Sequence, residues 1–400
     1  MNERHGRIKE RAMAQESKPA LGWAARDASG LLSPYSFSRR FTSPSHVDVV
    51  VVLASDSVVR TELSWLSFHF RVQKEDDVTI RVLFCGICHT DLHVAKNEWG
   101  NAMYPIVPGH EIVGVVTGVG RGVRGFKAGD RVGVGSFVGS CRACESCVKG
   151  YENNCPALLL TCNGVDCDGA TTQGGFADVL VVNQDYVLRV PEGLPPAGAA
   201  PLLCAGVTGY SPMVQYGLNA PGMLLGVVGL GGLGHMAVKF GKAFGMTVTV
   251  ISSSPRKRAE AVERLGADNF LVRHDAEEMK AAAGTMDGII DTVSAGHQLL
   301  PLLELLKPMG QMVLVGVPTE PMVLPASAIV TGGKRLAGSG VGSVRDCQAM
   351  LDFAGEHGIA ADVEVVKMEY VNTAMERLER NDVRYRFVID VAGSIGCAAV

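Results

Sequence analysis

This 400-residue chain lacks any excess of charge of one sign: 37 Lys and Arg stand against 41 Asp and Glu, a net charge of -4. With a pI near 6.2, it offers no basic footprint for nucleic acid or for an anionic lipid surface. Long hydrophobic runs are missing too. The longest β-branched stretch, Val49 to Val52 followed by Leu53 and Ala54, falls far short of the roughly 20 residues that cross a bilayer, so no membrane span is expected. The opening run MNERHGRIKERAMAQESK has no apolar stretch of the signal-peptide kind, and Glu3, Glu10 and Glu16 disfavour an organelle transit peptide. An even cysteine count is also absent; eleven fits a reducing compartment better than an exported disulfide framework. The expectation is a cytoplasmic protein with small-molecule partners.

Four of those cysteines, Cys141, Cys144, Cys147 and Cys155, crowd into CRACESCVKGYENNC. At spacings of three, three and eight they can close around one tetrahedral Zn²⁺ as a structural site. The alternative is a disulfide or spare-thiol cluster. The other cysteines, Cys85, Cys162, Cys167, Cys347 and Cys397, read as ordinary thiols.

From Val78 to Val190 short strand-like runs separated by Gly, Pro and Asp describe a β-rich domain that contains the cysteine loop. After Ala205 buried strands alternate with amphipathic segments, the pattern of a parallel sheet covered on both faces. Helices are expected from about Gly232 to Phe244, around Arg256 to Leu265, and from Arg345 to His357. The strand-like tail VEVVKM and FVIDV returns to the first domain.

Gly229, Gly231 and Gly234 form G-x-G-x-x-G, with Gly232 and Leu233 inside the loop, between the strand LLGVV and a helix. In that setting the glycines permit a tight turn and close approach of a dinucleotide pyrophosphate to the helix N-terminus. The alternative is a glycine-rich strand-to-helix turn. The next strand ends in Ser252, Ser253 and Ser254, where an NAD enzyme would carry a carboxylate for the ribose hydroxyls. Arg256, Lys257 and Arg258 follow, so hydroxyls and cations are available for a 2′-phosphate, and NADP(H) is expected over NAD(H). An N-capping serine run before a solvated basic helix is the competing account. Cys88, His110 with Glu111, and Cys204 could supply the two sulfurs and one imidazole of an open, catalytic zinc site, although Cys204 could equally be core.

Read together, GICHTD, PGHE, the four-cysteine loop, QGGFAD and GLGGLG resemble the zinc-dependent medium-chain dehydrogenases, specifically the plant cinnamyl alcohol dehydrogenase family, over about Ala20 to Val391. The resemblance implies an α/β chain in two parts. One is a GroES-like β-rich catalytic domain (1–204 and 343–400), and the other a Rossmann doubly wound domain (205–342). It further implies a homodimer, two Zn²⁺ per chain and NADPH-dependent, reversible reduction of cinnamyl-type aldehydes in phenylpropanoid (lignin) metabolism. Carried over by position, Cys88, His110 and Cys204 are the catalytic zinc ligands, with Glu111 an alternative ligand. Thr90 contacts the reacting oxygen, His93 lies on the proton path, and Ser253, Ser254 and Lys257 hold the 2′-phosphate.

Two departures qualify the resemblance. Residues 41–71, FTSPSHVDVVVVLASDSVVRTELSWLSFHFR, interrupt the family pattern. We read them as translated intron or gene-model sequence, with Met13 an alternative start. A dominant transcript encoding the segment would defeat that reading. A protein inactivated by the insertion, left to bind nucleotide or partners, is the non-catalytic alternative. In the substrate pocket, Leu160 and Gly340 stand where lignin-pathway members carry Trp and Phe. A widened pocket and a broader aldehyde range, extending to terpenoid, aliphatic or sugar-alcohol substrates, are therefore expected.

Overall fold

Two sheets of different character, joined by a helical seam, carry the chain. The computed structural model describes residues 18–39, 74–318 and 320–395; the 41–71 insertion, the candidate start at Met13 and Cys397 lie outside the described residues.

Among the described residues, the first part of the chain supplies nine strands to the β-rich part. A hairpin of β1 (Lys18–Ala25) and β2 (Leu32–Arg39) comes first, followed by β3 (Asp77–Ile87), β4 (Ile112–Val119), β5 (Arg131–Val134), β6 (Phe137–Gly139), β7 (Leu159–Leu160), β8 (Val179–Asn183) and β9 (Leu188–Arg189). Six more follow, β10 (Leu224–Val228), β11 (Thr247–Ser252), β12 (Asn269–Val272), β13 (Met286–Asp291), β14 (Leu306–Leu314) and β15 (Arg335–Gly338). They form one parallel sheet in the order β12-β11-β10-β13-β14-β15. The order reverses between β10 and β13, and that switch point opens a crevice at the carboxyl ends of the strands. The last strands, β16 (Val363–Lys367) and β17 (Arg386–Asp390), go back to the other sheet, where β17 pairs with β3. That mixed sheet runs β16-β17-β3-β4-β5-β9, with β8 also on β3.

Local chemistry accounts for the elements. The strand LLGVV is an almost unbroken apolar run because both of its faces are covered, as parallel strands require. In the helix Val344–His357, Ser343 and Asp346 make a capping box, and Gly358 at φ 64 ends it. Its buried Cys347, Met350, Leu351 and Ala354 recur at i, i+3, i+4 and i+7, one apolar stripe. That stripe shares a core with Val207, Met213 and Phe240 of the nucleotide-side helices, so this helix binds the two parts together. A second core, including Ile80, Ile112, Phe176 and Phe387, fills the β-rich part.

Two helix expectations change. The one after the glycine loop is Gly234–Ala243, shorter than expected because residues 231–233 remain in the loop. The Arg256 to Leu265 stretch is a 3₁₀ turn, Pro255–Lys257, followed by a wide π-type turn, Glu260–Arg264. Leu265 donates to Glu260 five residues back, and Ala261 and Leu265 both reach the core.

Candidate active site

Strand β3 ends at Ile87, and Cys88 is the N-cap of the short helix His89–Ala95. Asp91, fully buried, organises what surrounds it. Its Oδ2 accepts from the Cys88 amide at 2.9 Å, and its Oδ1 accepts from the Gly109 amide at 2.9 Å and faces His110 Nδ1 at 3.0 Å. One carboxylate thus fixes two of the candidate ligands and leaves the other ring nitrogen of His110 free to face a metal, the usual arrangement behind ligating imidazoles. Gly109 permits the turn: its φ is 104, and a Cβ there would sit 2.8 Å from Cys85 Sγ and 2.7 Å from Phe176.

Cys204 comes from the far end of the β-rich part, at the cap of the helix Ala205–Gln215. Its Sγ lies 4.0 Å from Cys88 Sγ. That is twice a disulfide length and close to the ~3.8 Å edge of a tetrahedral zinc–thiolate site built with 2.3 Å bonds. Ligand atoms of Cys88, His110, Glu111 and Cys204 all lie within 4.8 Å of one another, and all four residues are buried. Glu111 pairs through Oε1 with Arg386, while its Oε2 has no partner. Gly86 leaves room for that carboxylate, with which any Cβ would collide.

Electrostatics are those of a site built for a cation. The Cys88 thiol is held well below its ordinary value by the hydrogen bond from Cys204, with the Arg386 charge adding to it, and Cys204 is pushed correspondingly up. A divalent soft ion bound here would compete with protons for these sulfurs. Burial pushes Glu111 up to about 7, against the pull of Arg386. Soft donors and an orphaned carboxylate oxygen fit zinc.

Two further residues belong here: Arg386, which the sequence reading passed over, and Cys162, which it read as an ordinary thiol. Arg386 on β17 closes the site from behind, and Cys162 places its Sγ with Asp91 and His110 inside a second 4.8 Å group. Neither has a sequence signal, because each sits far along the chain from the motifs it meets.

Thr90 is half-buried in the first turn beside Cys88. His93, three residues on, is partly exposed, pairs with Glu98 and packs against Trp99 at 5.2 Å. Leu160 lies on β7 and is 40% exposed; Gly340 is exposed, and a Cβ there would meet nothing within 4 Å. Their chain neighbours converge. A cavity of about 20 Å³ is lined by Ser136, Leu203, Val207, Val341 and Gly342 among others. Leu203 precedes Cys204, and the Ser136 carbonyl accepts from Thr161, next to Leu160.

At the crevice, Gly229 has φ 88, and a Cβ on Gly234 would collide with its carbonyl, so turn and helix pack as a dinucleotide loop requires. Gly231 has nothing within 4 Å of a built Cβ, which leaves the loop face open, while Gly232 packs on Arg386 and Leu233 precedes the helix. Ser252 Oγ accepts from the Ser254 amide at 3.2 Å, and Ser253 is exposed. Lys257 Nζ reaches the Leu230 carbonyl at 2.6 Å. Arg258, expected among the free cations, is instead bound to Glu278 at 2.6 Å and to the Phe270 carbonyl. His235 behind the loop is buried, and burial pushes its pKa down to about 3.

The four loop cysteines also cluster, with ligand atoms within 4.8 Å. Backbone amides aim at the sulfurs: Cys144 N to Cys141 Sγ at 3.3 Å, and Cys141 N to Cys155 Sγ at 3.4 Å. Such donors hold Cys141 down to about 6, a thiolate ready for a metal.

Comparison with known proteins agrees with this architecture. Residues 74–192 match the Alcohol dehydrogenase GroES-like domain family and residues 232–356 the Zinc-binding dehydrogenase family. The chain is 70% identical over 387 residues to probable cinnamyl alcohol dehydrogenase 8A of Oryza sativa subsp. japonica, covering 97% of this chain and 99% of that one. It is 56% identical to a probable mannitol dehydrogenase of Mesembryanthemum crystallinum, covering 94% and 96%. Among solved structures, a cinnamyl alcohol dehydrogenase (CAD) from Sorghum bicolor superposes with a TM-score of 0.85 at 72% identity, covering 94% and 99%. A CAD from Helicobacter pylori complexed with NADP(H) superposes with 0.81 at 32%, covering 95% and 100%. Sequence motifs, sheet order and relatives agree, and the chain belongs to the zinc-binding alcohol dehydrogenases, within the cinnamyl alcohol dehydrogenase family.

Proposed function

We propose that this oxidoreductase interconverts cinnamyl-type aldehydes and their alcohols with NADP(H), in phenylpropanoid metabolism of the cytoplasm. The reading rests on the meeting of Cys88, His110 and Cys204 at the foot of the crevice that the glycine loop borders. Those three would hold the catalytic zinc with Glu111 in reserve, and Cys141, Cys144, Cys147 and Cys155 a structural zinc, two per chain. When bound, the catalytic metal supplies Lewis acidity toward a carbonyl oxygen, and the reduced nicotinamide supplies the hydride.

The chain's own residues do the rest. Thr90 Oγ1 delivers the proton to the substrate oxygen, and His93, linked to Glu98 and partly exposed, restores it from solvent. Burial of the ligand shell excludes bulk water and fixes donor positions before substrate arrives. Gly229, Gly231, Gly232, Leu233 and Gly234 seat the pyrophosphate. Ser252, Ser253, Ser254 and Lys257 favour the 2′-phosphate, and the contact of Lys257 with the Leu230 carbonyl keeps its ammonium beside the glycine loop. The functional division is 1–204 with 343–400 for catalysis and 205–342 for the nucleotide. A homodimer is supported by the place of β15 at the edge of its sheet among the described residues and by exposed Val317, Val323 and Val330 nearby.

Small residues at Leu160 and Gly340 favour a broad aldehyde range. Resemblance to probable mannitol dehydrogenases supports a second reading in which polyols are oxidised at the same site. Steady-state assays with coniferaldehyde and with aliphatic and terpenoid aldehydes, each with NADPH or NADH, and with mannitol and NADP+ or NAD+, test the proposal. Aldehyde reduction favouring NADPH is expected, and exclusive mannitol oxidation would transfer the assignment to the second reading. Absence of turnover in protein carrying two zincs would overturn both.

A further inference from the structure

The four-cysteine loop reaches across the molecule to the segment bearing Gly340. Glu152 Oε1 accepts from the Val344 amide at 2.6 Å, and Asn153 Nδ2 donates to the Gly340 carbonyl at 3.1 Å, spanning 192 and 187 residues of sequence. Arg345 also lies against the loop, its Nη1 3.4 Å from where a Cβ on Gly150 would stand. These contacts grip both ends of a stretch within which Val341 sits at φ 48. A β-branched residue in the left-handed region is strained, and it persists only where its surroundings over-determine it. Val341 packs against both hydrophobic cores. With Gly342 it lines the cavity that also touches Leu203, the neighbour of Cys204. On the far side, Gly342 is pinned by Val207, with which any added Cβ would clash at 2.5 Å.

We infer that Glu152 and Asn153 are positioning residues for substrate specificity: the metal loop holds the Gly340–Val344 wall in its strained shape and so sets the depth of the aldehyde pocket. The inference rests on the reading of Gly340 as pocket wall. It gives the four-cysteine loop a part in substrate selection besides its stabilising one. Where Gly340 offers no aromatic ring, the backbone itself is the wall, and its placement matters more.

The test compares Glu152→Ala and Asn153→Asp, which remove the acceptor and the donor, with Glu152→Gln, which keeps a carbonyl acceptor. In the first two, the ratio of kcat/KM for coniferaldehyde to that for a short aliphatic aldehyde shifts by about fivefold or more, the change entering through KM, and Glu152→Gln restores it. Amide hydrogen exchange over residues 341–344 rises in the same two variants, with zinc content and Tm close to wild type. An unchanged ratio with unchanged exchange overturns the inference. So does a shift that appears only together with zinc loss or a lowered Tm, since a purely structural loop would behave that way. If the wild-type protein reduces no aldehyde, the functional reading fails, and exchange alone then judges the clamp.

Discussion

Asp91 shows how much one side chain contributes at the residue scale. It is the shared acceptor for Cys88 N, Gly109 N and His110 Nδ1, so Asp91→Asn places an amide donor against groups that already donate. We expect zinc affinity or kcat to fall by about 10- to 100-fold, the usual cost of losing a partner behind a ligating imidazole. Zinc analysis and turnover measured together check this, and full activity at full zinc occupancy would refute it. Lys257 tests cofactor choice. Its ammonium sits over the loop carbonyl of Leu230, so Lys257→Ala should raise KM for NADPH by about tenfold, roughly 1.4 kcal/mol, with little change for NADH. Equal effects on both cofactors would assign the residue to loop structure alone. GICHTD and PGHE announced Cys88 and His110 in the sequence. Arg386 and Cys162 had no such motif, since their roles depend on which strands become neighbours.

Among the elements, the nucleotide sheet is pinned by Asp287 on β13. It accepts from the Leu224 amide of β10 at 2.8 Å and from Lys307 Nζ at 2.6 Å. Burial would raise its pKa, but the hydrogen bond from Leu224 and the Lys307 charge outweigh burial and leave it lowered. A depressed folded-state value means the carboxylate stabilises the fold above the unfolded pKa of about 3.9, and that contribution disappears as the pH falls through the folded value. Asp287→Ala should therefore cost about 1–3 kcal/mol at pH 7, with the gap to wild type closing below about pH 4. Urea midpoints across that range measure it, and a pH-independent difference would contradict the assignment. Strands of this sheet were legible because each is a short apolar run between turn signals. The Arg256 to Leu265 stretch was not, because its amphipathic spacing suits an α-helix and carries no signal for the 3₁₀ and π-type turns that form there.

For the whole molecule, the two proposed metal clusters would make stability and activity separable. Removing metal from the four-cysteine loop should lower Tm, because the ion would tie together residues 141–155. Removing it from the buried cluster should abolish turnover with a smaller change in Tm. Graded chelation followed by zinc analysis, calorimetry and assay separates the two, and a single coincident loss of all three signals would count against distinct sites. Sedimentation at twice 42.3 kDa is expected for the homodimer, and a monomer at micromolar concentration would exclude it.

By itself the sequence determined the elements and their chemistry: which runs bury both faces, where a glycine loop turns into a helix, and where four thiols stand close enough along the chain to share an ion. Those are local properties, set by periodicity, side-chain volume and spacing. Only the tertiary structure decided that Cys204, 94 positions beyond His110, completes the site with Cys88. It alone paired Arg386 with Glu111 and laid the four-cysteine loop against Gly340. Contacts between residues far apart in sequence depend on sheet order and on the seam between the two parts, and no local pattern encodes either.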